Sequence, residues 1–134
     1  MSRRLAHPAN LVAVVQPGVI NAELGREAAK HGLFYAPDPA SFETCTIGGN
    51  LAENSGGLRC LRYGVTREAV LGLEVVLADG TVIRTGGKNI KDVAGLNLCH
   101  IFVGSEGVLG LITEATLRVR PAPPPKLTLV AFFN

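Results

Sequence analysis

The chain has 134 residues, 47% of them hydrophobic, which suits one compact domain or part of a larger one and is too apolar for a disordered segment. Its formal charge is +2, from 13 Lys and Arg against 11 Asp and Glu, with the cations scattered from Arg3 to Lys126 and no Trp. A nucleic-acid surface, which needs clustered cations and stacking rings, is therefore not expected.

In chain order, Met1 to Pro8 lacks the apolar block of a secretory signal, and no long apolar run follows anywhere. A soluble, cytoplasmic chain without a transmembrane segment is the expectation. Leu11 to Val15 is a β-branched run that halts at Gln16-Pro17-Gly18 and reads as a strand. Asn21 then suits the N-cap of a helix in which Ile20, Leu24 and Ala28 recur every four residues, with Glu23 in its first turn and Gly32 past its end. His31, beside that end, reads as a surface residue complementing the helix dipole. Pro37-Asp38-Pro39 fixes two φ angles and should be stiff and non-helical.

Between Cys45 and Cys60 lies a stretch with two glycine pairs and two asparagines, Gly48-Gly49-Asn50 and Asn54-Ser55-Gly56-Gly57. Three cysteines, Cys45, Cys60 and Cys99, are odd in number, widely spaced and without a C-x-x-C pair, which fits neither a disulfide framework nor a zinc site. Buried, reduced thiols are expected, and no metal. The stretch itself reads as a loop whose amides, unhindered by a Cβ, approach a ligand.

Ala69 to Ala78, Asp79-Gly80 and Thr81 to Thr85 form a hairpin signal, with Asp-Gly predicted as a two-residue type I′ turn. Gly86-Gly87 ends the second strand, and Lys88 to Asp92 is a polar connection. Leu96 to Val103 is a short helix or a buried strand, since so brief an apolar run does not settle the period. Leu111, Thr113, Ala115, Leu117 and Val119 alternate with Ile112, Glu114, Thr116, Arg118 and Arg120, the pattern of a half-buried strand that Pro121 to Pro125 stops. Leu127 to Phe133 begins another strand-like run. The boundaries drawn from this are a domain over 1–122 and a Pro-rich connector opening a further domain over 123–134. Strands joined by a hairpin rather than by regular crossovers imply an α+β fold, a mainly antiparallel sheet flanked by helices.

Phe102-Val-Gly-Ser-Glu-Gly-Val-Leu-Gly-Leu-Ile112 is the second glycine-rich segment that looks chemical. It is no P-loop, since no Gly-Lys-Ser or Gly-Lys-Thr occurs in the chain, and its glycines are three apart and run into a strand, unlike a Rossmann fingerprint. Ser105 follows Gly104 directly and so misses the G-x-S-x-G elbow of a serine hydrolase.

Taken together, Pro37-Asp38-Pro39, Thr46 to Gly57, Tyr63-Gly64, Asp79-Gly80 and Val103 to Glu114 resemble the FAD-linked oxidases of the vanillyl-alcohol-oxidase type, with their PCMH-type FAD-binding domain. The resemblance is greatest to the D subunit of bacterial glycolate oxidase and to D-lactate and D-2-hydroxyglutarate dehydrogenases. It runs in register from about Val14 to Pro123 and implies the second of two α+β subdomains that hold FAD between them. By the resemblance, Pro37, Asp38 and Pro39 lie along the flavin. Thr46, Gly48, Gly49, Asn50, Glu53, Asn54, Ser55, Gly56 and Gly57 serve the isoalloxazine and pyrophosphate, and Tyr63 and Gly64 are further cofactor-binding residues. Glu106, Gly107, Gly110 and Ile112 wrap the adenosine side. Leu96-Asn97 depart from the Tyr-Asp common in relatives.

Nothing before Leu11 resembles the family's R-G-G-G-T-G loop, and the family's substrate domain follows the connector. The resemblance thus implies an FAD-binding portion of a flavin-dependent 2-hydroxy-acid oxidoreductase with no catalytic residue of its own, inactive alone. Its partners would carry the other FAD half, the substrate domain or the electron acceptor, and its substrate would be a small 2-hydroxy acid. The rival is a non-catalytic α+β module that serves as a binding or interface subunit, and retained flavin binding separates the two.

Overall fold

The structure is a computed structural model that describes residues 4–87, 97–124 and 130. The polar connection from Lys88 to Asp92, Leu96, and most of the strand-like run from Leu127 to Phe133 lie outside the described residues.

A five-stranded, wholly antiparallel sheet organises the chain in the order β1-β2-β6-β4-β5, with β1 Arg4–His7, β2 Val12–Val15, β4 Val70–Val76, β5 Val82–Gly86 and β6 Leu111–Arg118. β6 is central because its alternation is the cleanest: Ala115 and Leu117 are fully buried while Glu114 faces out. They meet Ala13 and Val15 of β2 and Leu73 and Val75 of β4, so one face of the sheet carries the core. β1 was not expected from the sequence. It pairs with β2 across a 3₁₀ turn at Pro8–Asn10.

Beside this face lies the first helix, α1 (Asn21–Ala29), which buries Leu24 and Ala28 as the spacing predicts. Asn21 does not cap it. Ile20 holds the cap position, and Asn21 is the first helical residue, buried, with Nδ2 donating to the Pro37 carbonyl at 3.3 Å. No side-chain cap is needed, because the amides of Asn21 and Ala22 find the carbonyls of Cys45 and Phe42 at 3.0 and 2.9 Å.

The chain then forms β3 (Leu33–Phe34) and the irregular segment 35–39, non-helical as the prolines require. β3 pairs with β7 (Arg120–Pro121), so Pro121 does not simply stop the last strand: the chain leaves the main sheet after Arg118 and joins a second, two-stranded one. Leu98 to Val103 resolves to a single helical turn, α5 (Cys99–Phe102), with Cys99 and Phe102 buried.

The β4–β5 hairpin forms, but not with the two-residue turn. Strand pairing ends at Val76 with Val82, the Gly80 amide donates to the Leu77 carbonyl, and only Gly80 takes a positive φ, of 84°. That is a type I turn closed by a left-handed glycine. Asp79 supports it by accepting from the amide and hydroxyl of Thr81, both at 2.9 Å.

Candidate functional site

Half of the predicted glycine loop is a helix. Thr46 caps α2 (Ile47–Glu53) by accepting from the Gly49 amide at 3.1 Å, and Asn54 ends it in the left-handed region, at φ 53°. Two glycines in the first turn disfavour a helix by up to roughly 1 kcal/mol each relative to alanine. At Gly48 the reason is steric, since a Cβ there would lie 2.6 Å from that of Pro17. Ile47 and Leu51 anchor the helix, both fully buried.

This geometry changes what the glycines do. The amides of Ile47 and Gly48 donate to the carbonyls of Val19 and Pro17, those of Asn50 and Ser55 to Thr46 and Asn50, and that of Gly57 to the Cys60 sulfur at 2.8 Å. The expectation that Gly48, Gly49 and Gly57 present their amides to a ligand is not met, because each already has an internal acceptor. Gly48 and Gly57 serve close approach instead, to Pro17 and to Asp38, whereas a Cβ on Gly49 would meet nothing nearer than Thr46 Oγ1 at 3.4 Å. The same bonds place Cys45 and Cys60 as half-buried free thiols, and only Cys99 is buried as expected. Among the described residues no group of three or more His, Cys, Asp or Glu could hold a metal ion.

The two glycine-rich segments, 50 residues apart in sequence, are docked on each other. The Gly104 and Glu106 amides donate to the carbonyls of Leu51 and Ala52 at 2.8 and 2.9 Å, and Gly104, Glu106 and Gly107 all take positive φ to turn the chain there. Arg67, in α4 (Thr66–Ala69), locks the pair: its amide donates to Asn54 Oδ1 and its Nη2 to the Val103 carbonyl. Ser55 is fixed through its carbonyl, which accepts from the amide and hydroxyl of Thr66. Glu53, Glu106 and Gly107 are exposed beside them.

The second convergence involves Pro37, Asp38 and Pro39. Asp38 Oδ1 accepts from the Arg59 amide at 3.0 Å, and its Oδ2 lies 3.3 Å from Arg59 Nε. Gly57 presses against the Asp38 carbonyl. The two segments form one wall of an open cleft of about 800 Å³, whose other wall is the Ala22, Gly25, Arg26 and Ala29 face of α1. Pro37, Asp38, Pro39, Gly56 and Gly57 line this cleft. Tyr63, in α3 (Cys60–Tyr63), stands edge-on to Phe34, which borders the cleft, and Gly64 follows it with φ 82° against the Glu68 side chain. Gly110 and Ile112 lie elsewhere: Ile112 pairs with Val75 of β4, and a Cβ on Gly110 would meet Val75 at 2.6 Å. Neither lines the cleft.

Sequence reasoning missed Arg59 and Arg67. Each acts on a partner far along the chain, Asp38 and Val103, and no local spacing announces such a pair.

Tyr35, buried at the cleft, has a hydroxyl with no partner among the described residues. Burial first, and the neighbouring Cys45 second, push its ionisation well above the ordinary tyrosine range. Above pH 10 the unfolded chain loses this proton while the folded one keeps it, so stability is full below pH 10 and falls by about 1.4 kcal/mol per pH unit above it. Tyr35→Phe is expected to remove that slope in urea titrations between pH 9.5 and 11, and to match or exceed the original stability at pH 7 because an unpaired buried hydroxyl goes. An unchanged alkaline slope would show that Tyr35 is not its source.

Among the described residues no helix is long and apolar enough to cross a membrane. The chain is 60% identical over 125 residues to the glycolate oxidase subunit GlcD of Bacillus subtilis (strain 168), a match that covers 93% of this chain and 27% of the relative. It is 50% identical to a D-lactate dehydrogenase of Archaeoglobus fulgidus over 84% of this chain and 25% of that protein. A solved structure of alkyldihydroxyacetonephosphate synthase superposes with a TM-score of 0.78 at 33% identity, over 93% of this chain and 22% of the synthase. The chain thus spans about a quarter of the length of the curated relatives it matches. Residues 1–86 match the FAD binding domain family, and with the antiparallel α+β fold and the docked glycine segments in place, the chain belongs to that family.

Proposed function

We propose that this chain supplies one wall of the FAD site of a flavin-dependent oxidoreductase acting on a small 2-hydroxy acid. The observation that carries the reading is the cleft where 37–39 and 56–59 are pinned together by the Asp38–Arg59 pair, beside the docked segments 46–55 and 103–107. The residues suit a flavin in a second respect. Asn50 does not line the cleft, but it is buried and among the described residues its Nδ2 has no acceptor, which leaves a spare donor for a ring carbonyl or nitrogen. When bound, FAD accepts a hydride from the carbon bearing the substrate hydroxyl.

In this reading Pro37 and Pro39 give the cleft a stiff floor, Arg59 holds Asp38 in place, and Gly56-Gly57 keep the wall thin enough for close approach. Glu53, Asn54, Ser55, Tyr63, Gly64, Glu106, Gly107, Gly110 and Ile112 remain proposed contacts by the family resemblance. The unit is residues 1–122, the second subdomain, with 123–134 leading towards a substrate domain. Partner segments bring the other FAD half, the general base and the electron acceptor, so the chain alone is inactive. Three free thiols suit a reducing, cytoplasmic setting.

Titrating the purified chain with FAD tests this. Quenched flavin fluorescence and a shifted visible band, saturating at micromolar to high-micromolar FAD, are expected, with Asn50→Ala weakening binding about tenfold, the worth of one hydrogen bond to a buried donor. A well-folded sample that leaves all flavin free at high micromolar concentration rejects binding by this chain.

A further inference from the structure

A second concavity, of about 480 Å³, lies where β7 meets β3 and shares only Phe34 with the cleft above. We propose that it is a binding site for a small multivalent anion bearing carboxylate or phosphate oxygens, distinct from the flavin cleft. Three arginines line it, Arg62, Arg118 and Arg120, and among the described residues none of the lining side chains is acidic. The β3–β7 register sets Arg120 opposite Phe34. Arg62 and Arg120 then rest on the Tyr63 ring at 5.2 and 5.5 Å.

Stacking on a ring uses the face of a guanidinium and leaves its N–H edge free for an acceptor. Arg118 goes further, because its Nε is buried and among the described residues has no hydrogen-bond partner. A buried charge-bearing donor without an acceptor is unfavourable, and three like charges in one hollow repel, so an incoming anion relieves both. Arg59 and Arg84 show the alternative, since each is neutralised by a carboxylate, Asp38 and Glu74. The Pro121 to Pro124 rim gives the site one stiff edge. A hollow of this volume suits a ligand with two or three anionic groups rather than a single inorganic ion.

Isothermal titration calorimetry of the 134-residue chain without flavin, at fixed ionic strength, tests the site with pyrophosphate and with citrate as probes. Saturable one-to-one binding of at least one probe is expected, weakened at least tenfold by Arg118→Gln and unchanged by Arg84→Gln, which removes the same charge from the hairpin. Should Arg118→Gln lose its circular dichroism signature, Arg120→Gln takes its place, with the same tenfold loss expected. The proposal is overturned if neither probe binds, or if the folded arginine variant binds as tightly as the original chain. Pyrophosphate and citrate compared at equal charge tell phosphate from carboxylate preference. Saturating FAD should leave probe binding unchanged, whereas competitive displacement would make the hollow part of the flavin site and sink its independence. The probe titrations themselves are run without flavin, so their outcome stands apart from whether the chain alone retains it.

Discussion

Gly57→Ala is expected to lower the unfolding free energy by about 3 kcal/mol and the melting temperature by roughly 10 °C, with FAD binding lost alongside. A Cβ at this position would fall on the Asp38 carbonyl, closer than real Cβ atoms come to any atom, and 2.7 Å from Asp38 Oδ1. Backbone is what it meets, and that backbone cannot step aside. Pro37 and Pro39 fix it on both sides, both are buried, and the Arg59 amide and Nε hold the Asp38 carboxylate. Relief would have to come from parting the two segments that make the cleft wall, which is why stability and flavin binding should fall together. Gly25→Ala is the contrast. Nothing lies within 4 Å of a Cβ there, and the residue is helical, so about 0.5–1 kcal/mol of stabilisation is expected. Denaturant titrations showing Gly57→Ala within 0.5 kcal/mol of the parent would mean that the wall is not as tightly packed as described.

The same pair of glycines shows what sequence could and could not disclose. Alternation in β6, the four-residue stripe of α1 and the two prolines at 37 and 39 are local patterns, and local patterns set strand, helix and stiff segment directly. The hairpin was legible as well, yet its turn was not, because the turn that forms is supported by a side-chain bond between Asp79 and Thr81 that composition does not encode. The glycine stretch was legible as special and misread in kind. Gly48 looks like a loop residue until Pro17 occupies the space its Cβ would need, and Pro17 sits some thirty residues away in the chain. Asn54 also carries a role that its neighbours in sequence do not announce, since its Oδ1 accepts from the Arg67 amide. Of the arginine hollow, the alternation shows only that Arg118 and Arg120 share a face, and Arg62 joins them only in the fold.

Leu51→Ala should cost about 2–5 kcal/mol, the range for emptying a fully buried leucine site, and should do so by loosening both glycine segments at once. A seven-residue helix with two glycines in its first turn has little stability of its own. It stands because Ile47 and Leu51 are buried, because Thr46 caps it, and because its first amides find Val19 and Pro17. The far end carries the loop: the Leu51 and Ala52 carbonyls accept from Gly104 and Glu106. If the leucine is the anchor, removing it frees those carbonyls to move, and amide exchange at Gly104 and Glu106 should rise more than at the β2–β6 ladder, where Ala13 pairs with Leu117. Glu53→Ala, two residues on and exposed, should change stability by less than about 0.5 kcal/mol and leave those amides protected. Equal acceleration at Gly104 and at Leu117 in Leu51→Ala would instead mean global unfolding, with the coupling between α2 and the 103–107 loop no stronger than that of any other pair of core segments.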